Sequence, residues 1–438
     1  MHSLFSDLRK LWDDTLSIVR SPAKMNSILH VPLYSNALYL ILANGTSAIF
    51  GFVFWIIAAR LYTTEAVGIA SAIISIAALL EMLSGHALGY GLMRFLNSSN
   101  NPTKLVNSSF TMASMLSLAV AGIFLIGLGI WAPGLSIIRA NPFYMIIFLL
   151  YVPILVLDDL TDYVMLARQQ ARFVFIHSLI FNIFRLALPV LLAIIFQSFG
   201  IFSSWGAATC IALLVSLFLL VPRVQPGYHL AFTLDKKVIS EMLHFSFLNY
   251  LSDILWNIPS QILPIIVINL LGAKNNAYFY IAWAMSGILA LIPTAVAFSL
   301  LAEGSRDETQ LKNNAGRSFK IMAILLIPGM VLAWFLTNKF LSLFGSLYAK
   351  NAAHLLHWLI IAAFPLSINL AYFSIKRVQK KIKPIILLSA IMAVIVVFTS
   401  YLLSPRLGIN GVGIAWLIGQ SIIALIAMAW DIKRWLRV

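Results

Sequence analysis

Hydrophobic residues in this chain form twelve long stretches that are separated by short polar segments. The stretches lie at about 36–60, 66–91, 105–131, 142–166, 173–197, 201–222, 246–271, 277–301, 316–337, 353–375, 384–403 and 411–430. Each is near the roughly 20 residues that a helix needs to cross the hydrocarbon core of a bilayer. The pattern therefore predicts an all-α integral membrane protein with 12 transmembrane helices.

Composition agrees with this pattern and excludes a soluble globular protein. The chain is 61% hydrophobic and only 10% charged, whereas soluble domains are closer to half apolar and a quarter charged. A net charge of +15 would suggest nucleic-acid binding in a soluble domain. Here the basic residues lie in loops where they meet anionic headgroups, so we expect membrane lipids, and no nucleic acid, as partners.

The basic residues fall overwhelmingly on every second connection between the stretches. Of the 30 Lys and Arg residues, 23 lie in one alternating set that includes both ends of the chain, and six lie in the other set. Cytoplasmic loops carry the Lys/Arg excess of membrane proteins. We therefore expect both termini in the cytoplasm and the protein in the cell (cytoplasmic or inner) membrane. The remaining basic residue, Arg185, lies inside the fifth stretch.

The spacing of the stretches divides the chain into two halves of six. Residues 1–30 have the pattern of an amphipathic helix on the cytoplasmic membrane surface. Residues 31–222 form an N-terminal six-helix lobe, 223–245 a cytoplasmic linker, and 246–438 a C-terminal lobe with a cytoplasmic tail. The sequence LYTTEAVGIASA at 61–72 aligns loosely with LGAKNNAYFYIA at 271–282. Repeats of six spans enter the membrane in the same orientation, which predicts a pseudo-twofold axis along the membrane normal.

Few residues suit enzyme chemistry or a bound cofactor. Cys210 is the only cysteine, the eight His residues are scattered along the sequence, and no His/acid spacing resembles a metal site. No nucleotide-binding or nucleophile motif occurs in a suitable context, and the outer loops are short. We expect no enzyme activity, no cofactor and no metal.

Four segments resemble the polysaccharide-type flippases of the multidrug/oligosaccharidyl-lipid/polysaccharide exporter superfamily. They are ARLYTTEAVG at 59–68, GHALGYGLMRF at 85–95, LFGSLYA at 343–349 and GINGVGIA at 408–415. The resemblance covers nearly the whole chain, although the turn after the first span has Thr63-Thr64-Glu65 where the family has Pro-Glu-Asp. It implies two pseudo-symmetric six-helix lobes around a central cavity, and a lipid-linked oligosaccharide that crosses the membrane by alternating access.

Arg185 is the first candidate for binding the anionic part of such a cargo. A guanidinium in hydrocarbon is costly, so it should face protein or a watery cavity, and Ser178 and Asn182 lie within about 60° of it on the same helix face. A planar guanidinium can hold a diphosphate through paired hydrogen bonds. The alternative is an internal ion pair with Asp158 or Asp159 of the fourth span, where Asp162 lies one turn beyond Asp158.

Two further groups of polar residues lie inside predicted spans. Glu81 either carries a coupling cation, H⁺ or Na⁺, or is a neutral hydrogen-bonded carboxyl, and we expect His86 to be a satisfied polar residue. The seventh span carries Asp253, Trp256 and Asn257 beside Pro259 and Pro264. These residues favour either an interrupted helix that binds polar cargo, with Trp256 stacked on a sugar ring, or a gating kink.

The favoured function is therefore a flippase for a lipid-linked oligosaccharide in cell-surface polysaccharide biosynthesis, with glycan-assembly enzymes as candidate partners. A cation-coupled multidrug exporter of the same superfamily stays open. Such exporters commonly have a carboxylate in the first span, whereas this first span offers Asn44 and no carboxylate, which disfavours the exporter. Asn44 is a further candidate for binding cargo in the cavity. A membrane enzyme of glycan assembly is a third alternative, which the short outer loops disfavour.

Overall fold

The structure, a computed structural model, describes residues 32–196 and 199–429. Its twelve long helices are α1 (Pro32–Leu61), α2 (Thr64–Phe95), α3 (Pro102–Trp131), α4 (Pro142–Ala167), α5 (Ala171–Phe196), α6 (Gly200–Val215), α7 (Lys236–Leu271), α8 (Ala273–Arg306), α9 (Leu311–Ser342), α10 (Ser346–Val378), α11 (Ile382–Leu407) and α12 (Ile409–Ala427). With α6 counted together with its helical continuation to Val224, all twelve are long and apolar enough to cross a membrane, which confirms the predicted spans. The predicted amphipathic segment and the ends of both tails lie outside the described residues.

Short connections make successive helices antiparallel. Asn101 and Asn141 cap α3 and α4, each followed by a proline at the first helical position, where its missing N–H costs nothing. Gly272 has a φ of +86° between α7 and α8, a conformation that favours glycine. The connections form two faces. We call the face formed by residues 96–101, 168–170, 225–235, 307–310 and 379–381 the basic face, because these connections and the helix ends that adjoin them carry the Lys/Arg excess, and we call the other the opposite face.

The seventh helix differs from its prediction in two respects. It begins at Lys236, ten residues before the predicted span, because the Asp235 carboxylate accepts hydrogen bonds from the backbone N–H groups of Lys237 and Val238. This shortens the non-helical part of the predicted linker. The helix also continues through Pro259 and Pro264, so the alternative of an interrupted helix is not observed, and that of a gating kink stays a prediction.

Packing within each half confirms two pseudo-symmetric six-helix lobes. In the N-lobe (α1–α6), α1 packs on α5, α2 on α3 and α4, α3 on α4, and α6 on α4 and α5. Each of these pairs recurs in the C-lobe (α7–α12) with six added to both helix numbers.

The lobes meet asymmetrically, which leaves a gap on one side of the molecule. Helix α2 packs along α7, where the Tyr250 hydroxyl donates to the Leu83 carbonyl at 2.9 Å. The symmetry-related pair, α1 and α8, is in much sparser contact. Helix α1 touches the C-lobe through the half nearer the opposite face, for example where the Trp55 and Tyr280 rings lie 4.7 Å apart. The central cavity opens at this α1–α8 seam.

Contacts between the lobes close the opposite face. The Arg60 guanidinium of α1 donates to the carbonyls of Ser342 and Leu343 at the end of α9, both at 2.9 Å. The Asn276 side chain of α8 donates to the Gly68 carbonyl of α2 at 2.7 Å. Sequence reasoning had treated Arg60 only as one of the few basic residues outside the main set.

Candidate functional site

The cavity at the α1–α8 seam lies near the middle of both helices and has a volume of about 190 Å³. Its walls are Ser47, Ala48, Gly51, Phe52 and Trp55 of α1, Ala284, Met285, Gly287, Ile288 and Leu291 of α8, and Phe344. Most of these side chains are apolar. The polar chemistry available to a ligand in this cavity therefore comes from Ser47 and from groups directly behind the wall.

Arg185 of α5 is the charged group behind this wall. Its guanidinium donates to the Asn182 side-chain oxygen at 2.6 Å and to the Ser47 carbonyl at 3.2 Å. A Cβ at Gly51 would lie 3.4 Å from Arg185 Nη2, so the absence of a side chain at Gly51 leaves the guanidinium separated from the cavity by backbone alone. Arg185 is 5% exposed, and its Nε is buried without a hydrogen-bond partner.

Aromatic rings surround the same guanidinium. Its carbon lies 4.9 Å from the ring centre of Phe181, 5.0 Å from Trp205 and 5.7 Å from Phe54. Ring faces attract a cation, and more strongly where water is excluded. Arg185 contacts no carboxylate within the part of the chain that the structure describes. The Ser47 carbonyl, the Asn182 amide and the aromatic rings stabilise its positive charge. An anion that binds near Arg185 therefore does not have to displace an internal carboxylate.

The alternative prediction, an ion pair between Arg185 and Asp158 or Asp159, was wrong. Asp158 instead lies 2.9 Å from Nε2 of His177. Depth in the membrane explains the difference. At 1.5 Å per residue along the helices from the turn at Gln169, His177 of α5 lies about 12 Å deep, between the depths of Asp162 and Asp158 of α4. Arg185 lies about 24 Å deep, which is beyond both aspartates. Sequence reasoning missed His177, although this count would have identified it.

His177 bridges two carboxylates on α4. Its second ring nitrogen, Nδ1, lies 2.9 Å from an Asp162 oxygen, and the residue is 5% exposed. Neither Nδ1 nor the facing Asp162 Oδ1 has a hydrogen-bond partner, so the Nε2–Asp158 contact is a hydrogen bond, whereas the contact with Asp162 is one of distance and charge only.

A second acid–histidine group, which we call the α2–α4 triad, consists of Glu81, His86 and Asp159. His86 Nε2 lies 3.3 Å from Glu81 Oε1 and 3.8 Å from Asp159 Oδ2, and the three ligand atoms lie within 4.8 Å of one another. Two sequence expectations fail here. His and acids do cluster in space, and His86 is not satisfied, because its Nδ1 is buried without a partner.

Glu81 is the most buried member of the triad. It is 8% exposed, and its Oε1 has no hydrogen-bond donor. The second carboxylate oxygen of Glu81 is not among the unpartnered atoms, so the interpretation as a hydrogen-bonded packing carboxyl and the role in holding a coupling cation both stay predictions. Burying two carboxylates beside one imidazole is costly unless protons or a cation accompany them.

Asp253 of α7 joins the two lobes beside this triad. Its carboxylate accepts a hydrogen bond from the Tyr90 hydroxyl of α2 and lies 2.9 Å from the Arg377 guanidinium of α10. The Tyr90 ring lies 5.9 Å from the Tyr163 ring of α4, which in turn lies 6.4 Å from His86. A continuous series of side chains thus connects the triad to the seam between α2 and α7.

The other predicted site residues do not line the cavity at the α1–α8 seam. Asn257 donates to the Asp253 carbonyl within α7, and Trp256 packs edge-on against Phe373 with ring centres 5.0 Å apart. Asn44 is exposed on α1, one turn from Ser47, and Ser178 is half-buried. The structure thus brings Asn182 and Arg185 together directly behind the cavity wall and puts Asp253 at the lobe interface.

Comparison with known families gives two matches. The family described as "polysaccharide biosynthesis protein" matches residues 33–305, which is more than half of the chain. The family described as MatE matches residues 250–402. No curated protein sequence matches the chain.

Solved structures share the fold at low sequence identity. The lipid II flippase MurJ, in an inward closed conformation, is 16% identical with a TM-score of 0.74, covering 91% of this chain and 89% of MurJ. An inward-facing multidrug resistance MATE family transporter of the MOP superfamily is 15% identical with a TM-score of 0.68, covering 89% and 94%. An outward-facing one is 14% identical with a TM-score of 0.61, covering 92% and 96%. The fold is that of transporters.

Proposed function

Because the chain belongs to the polysaccharide biosynthesis protein family, we propose that it moves a lipid-linked oligosaccharide across the cytoplasmic membrane by alternating access. The cargo is a repeat unit on a polyprenyl diphosphate, taken from the cytoplasmic leaflet to the outer leaflet. The basic face is cytoplasmic in this proposal, since cytoplasmic loops carry the Lys/Arg excess. The lobes are then closed on the outer side, and cargo enters at the α1–α8 seam.

The observation that carries this proposal is the state of Arg185. A buried guanidinium normally pairs with a carboxylate, and this one has none among the described residues, while its Nε lacks a partner. It lies behind Ser47 and Gly51 at the wall of the cavity between the lobes. A diphosphate that reaches this wall gains a charge-assisted interaction without the cost of breaking an ion pair.

We further propose that protons drive the transport through the α2–α4 triad. Four acids (Glu81, Asp158, Asp159 and Asp162) and two histidines share this part of the N-lobe, while Arg377 is already paired with Asp253. Even with both histidines protonated, two negative charges remain to be neutralised. Hard alkali cations prefer oxygen ligands, and the imidazoles in this group favour the proton over Na⁺.

Depletion of the protein tests the transport proposal directly. We expect the complete lipid-linked oligosaccharide to accumulate in the inner leaflet. Rescue by Arg185→Lys should fail, because lysine keeps the charge but not the planar fork, whereas Arg172→Lys, on the same helix at the basic face, should rescue. Unchanged glycan lipids after depletion would contradict the proposal.

The coupling proposal is tested in proteoliposomes with an imposed pH or Na⁺ gradient. A pH gradient should accelerate flipping in the wild type but not in Glu81→Gln or Asp159→Asn. Glu241→Gln, which removes an exposed carboxyl from α7, is the matched control. Acceleration of flipping by a Na⁺ gradient at constant pH would count against protons as the coupling ion.

A multidrug exporter is the second candidate, favoured by the MatE match over residues 250–402. Depletion distinguishes the two functions. A flippase defect changes lipid-linked sugars, whereas an exporter defect leaves them unchanged and increases sensitivity to cationic drugs.

A further inference from the structure

A second cavity lies in the C-lobe next to the one at the α1–α8 seam. It is a crevice of about 340 Å³, lined by Phe52 of α1, by Met285, Ser286, Ile288, Leu289 and Ile292 of α8, by Gly329, Leu332, Ala333 and Phe340 of α9, and by Leu356 and Ile360 of α10. Gly329 and Ala333 lie one helical turn apart, so α9 presents two small residues where its neighbours have large ones. This pair creates the space.

The walls of the crevice are apolar throughout. Ser286 is the only lining residue with a polar side chain, and its hydroxyl donates within its own helix to the Trp283 carbonyl at 2.8 Å. Leu356 and Ile360, each 2% exposed, form the floor, whereas Leu332 at the mouth is 59% exposed. Such a site offers water no partners and suits a hydrocarbon.

The crevice continues directly from the cavity in front of Arg185. Phe52, Met285 and Ile288 line both spaces. Along α9, the crevice extends from Gly329 to Phe340, about 16 Å at 1.5 Å per residue. This is roughly half of the 30 Å hydrocarbon thickness of a bilayer. The two spaces together match a molecule with an anionic group at one end and a long apolar chain at the other.

We propose that the crevice between α8, α9 and α10 binds the part of the polyprenyl tail nearest the diphosphate while the diphosphate lies at the Arg185 wall. The inference rests on the proposed function and adds a second subsite to it. A single crevice fits a single-tailed lipid, whereas a phospholipid has two acyl chains to accommodate. The tail then lies in the apolar crevice and does not have to pass through the aqueous cavity.

Filling the crevice tests the proposal. Gly329→Leu adds a side chain whose Cβ already lies 3.2 Å from Leu289, and Ala333→Phe fills the same space from one turn away. Gly316→Leu is the matched control, because Gly316 is on the same helix with open space around it. Two crevice variants are used so that misfolding of one, detected by its thermal midpoint, does not leave the question open.

Two probes distinguish binding of the tail from binding of the headgroup. Binding of undecaprenyl diphosphate and of inorganic diphosphate is measured by thermophoresis on the full chain in nanodiscs. Both crevice variants should bind undecaprenyl diphosphate at least tenfold more weakly than wild type and inorganic diphosphate equally well, and Gly316→Leu should match wild type for both. Equal binding of undecaprenyl diphosphate by wild type and both variants overturns the tail site while leaving the proposed transport intact.

A photoreactive group on the tail gives a second readout. Crosslinks should map to α9 around Leu332 and Ala333 and should disappear with excess unlabelled undecaprenyl diphosphate. Equal loss of crosslinks with excess phosphatidylglycerol would identify a general lipid site and overturn the proposal. Failure of wild type to bind either diphosphate would count against the proposed function as well as the tail site.

Discussion

Replacement of Arg60 by alanine should open the opposite face of the protein. Arg60 is an N-lobe residue whose guanidinium donates to the Ser342 and Leu343 carbonyls at the C-terminal end of α9 in the C-lobe. These carbonyls carry the partial negative charge of the helix end. The contact therefore joins the lobes through both hydrogen bonds and charge.

The size of the effect follows from the exposure of this contact. A hydrogen bond to a charged group contributes about 1.5–3 kcal/mol when protected from water, and an exposed charge at a helix end about 0.3–1 kcal/mol. Because Arg60 is exposed, we take about 1 kcal/mol for the two bonds together. At 1.4 kcal/mol per factor of ten, Arg60→Ala should increase the population that is open on the opposite face about fivefold.

Distances between spin labels measure this population. Cys210 is the only cysteine, so Cys210→Ser gives a background for Ala140→Cys in the N-lobe and Lys350→Cys in the C-lobe, both exposed on the opposite face. The long-distance population should rise in Arg60→Ala. The difference from wild type should shrink at high ionic strength, because salt screens exposed charges.

Arg406→Ala is the control, since Arg406 is an exposed arginine on the same face. An unchanged distance distribution in Arg60→Ala, or an equal opening in Arg406→Ala, would refute the assignment of Arg60 as the closing contact.

Three further predictions concern closure and stability. Gly68→Ala places a Cβ 1.8 Å from the Ala273 carbonyl oxygen of the C-lobe, so the spin-label distances should show that the state closed on the opposite face is lost. Gly122→Ala, with open space around it, should behave as wild type. The hydrogen bond from Lys104 is the main cause of the lowered pKa of Asp235. The Asp235 carboxylate therefore stabilises the folded state at pH values above the ordinary pKa of an aspartate, and this stabilisation is lost as the pH falls through the lowered pKa. Asp235→Asn should therefore melt earlier than wild type at pH 7 and converge with it in acid. His177→Gln removes the partner of Asp158 and Asp162, so the free energy of unfolding should fall by about 3 kcal/mol, the low end for a broken buried pair. Replacing both of these aspartates with asparagine in the same variant should restore the lost stability.

The spans could be predicted because each depends on a local property, a run of about 20 apolar residues. The start of α3 at Asn101-Pro102 and the start of α8 after Gly272 likewise follow from residues adjacent in sequence. The start of α7 could not be placed by hydropathy, because it depends on one capping carboxylate, Asp235, at the membrane surface.

The candidate site was less predictable because its contacts join distant parts of the chain. The spacing of Asp158 and Asp162 correctly indicates a shared helix face, but the choice of His177 over Arg185 as their partner also requires the depth of each residue along α5. The contact of Arg60 spans more than 280 residues, and no local pattern marks it.

The positions of the charges impose an order on the proposed cycle. An anionic headgroup at the Arg185 wall shares the N-lobe with four acids, and at low dielectric these acids oppose its binding unless they are neutralised. Proton uptake at the α2–α4 triad therefore favours cargo binding. By linkage, bound cargo favours proton uptake by the same factor. The triad reaches the lobe interface through Tyr90 and Asp253. In the proposed cycle, a change of charge at the triad therefore acts on the α2–α7 seam, about which the α1–α8 side would open and close.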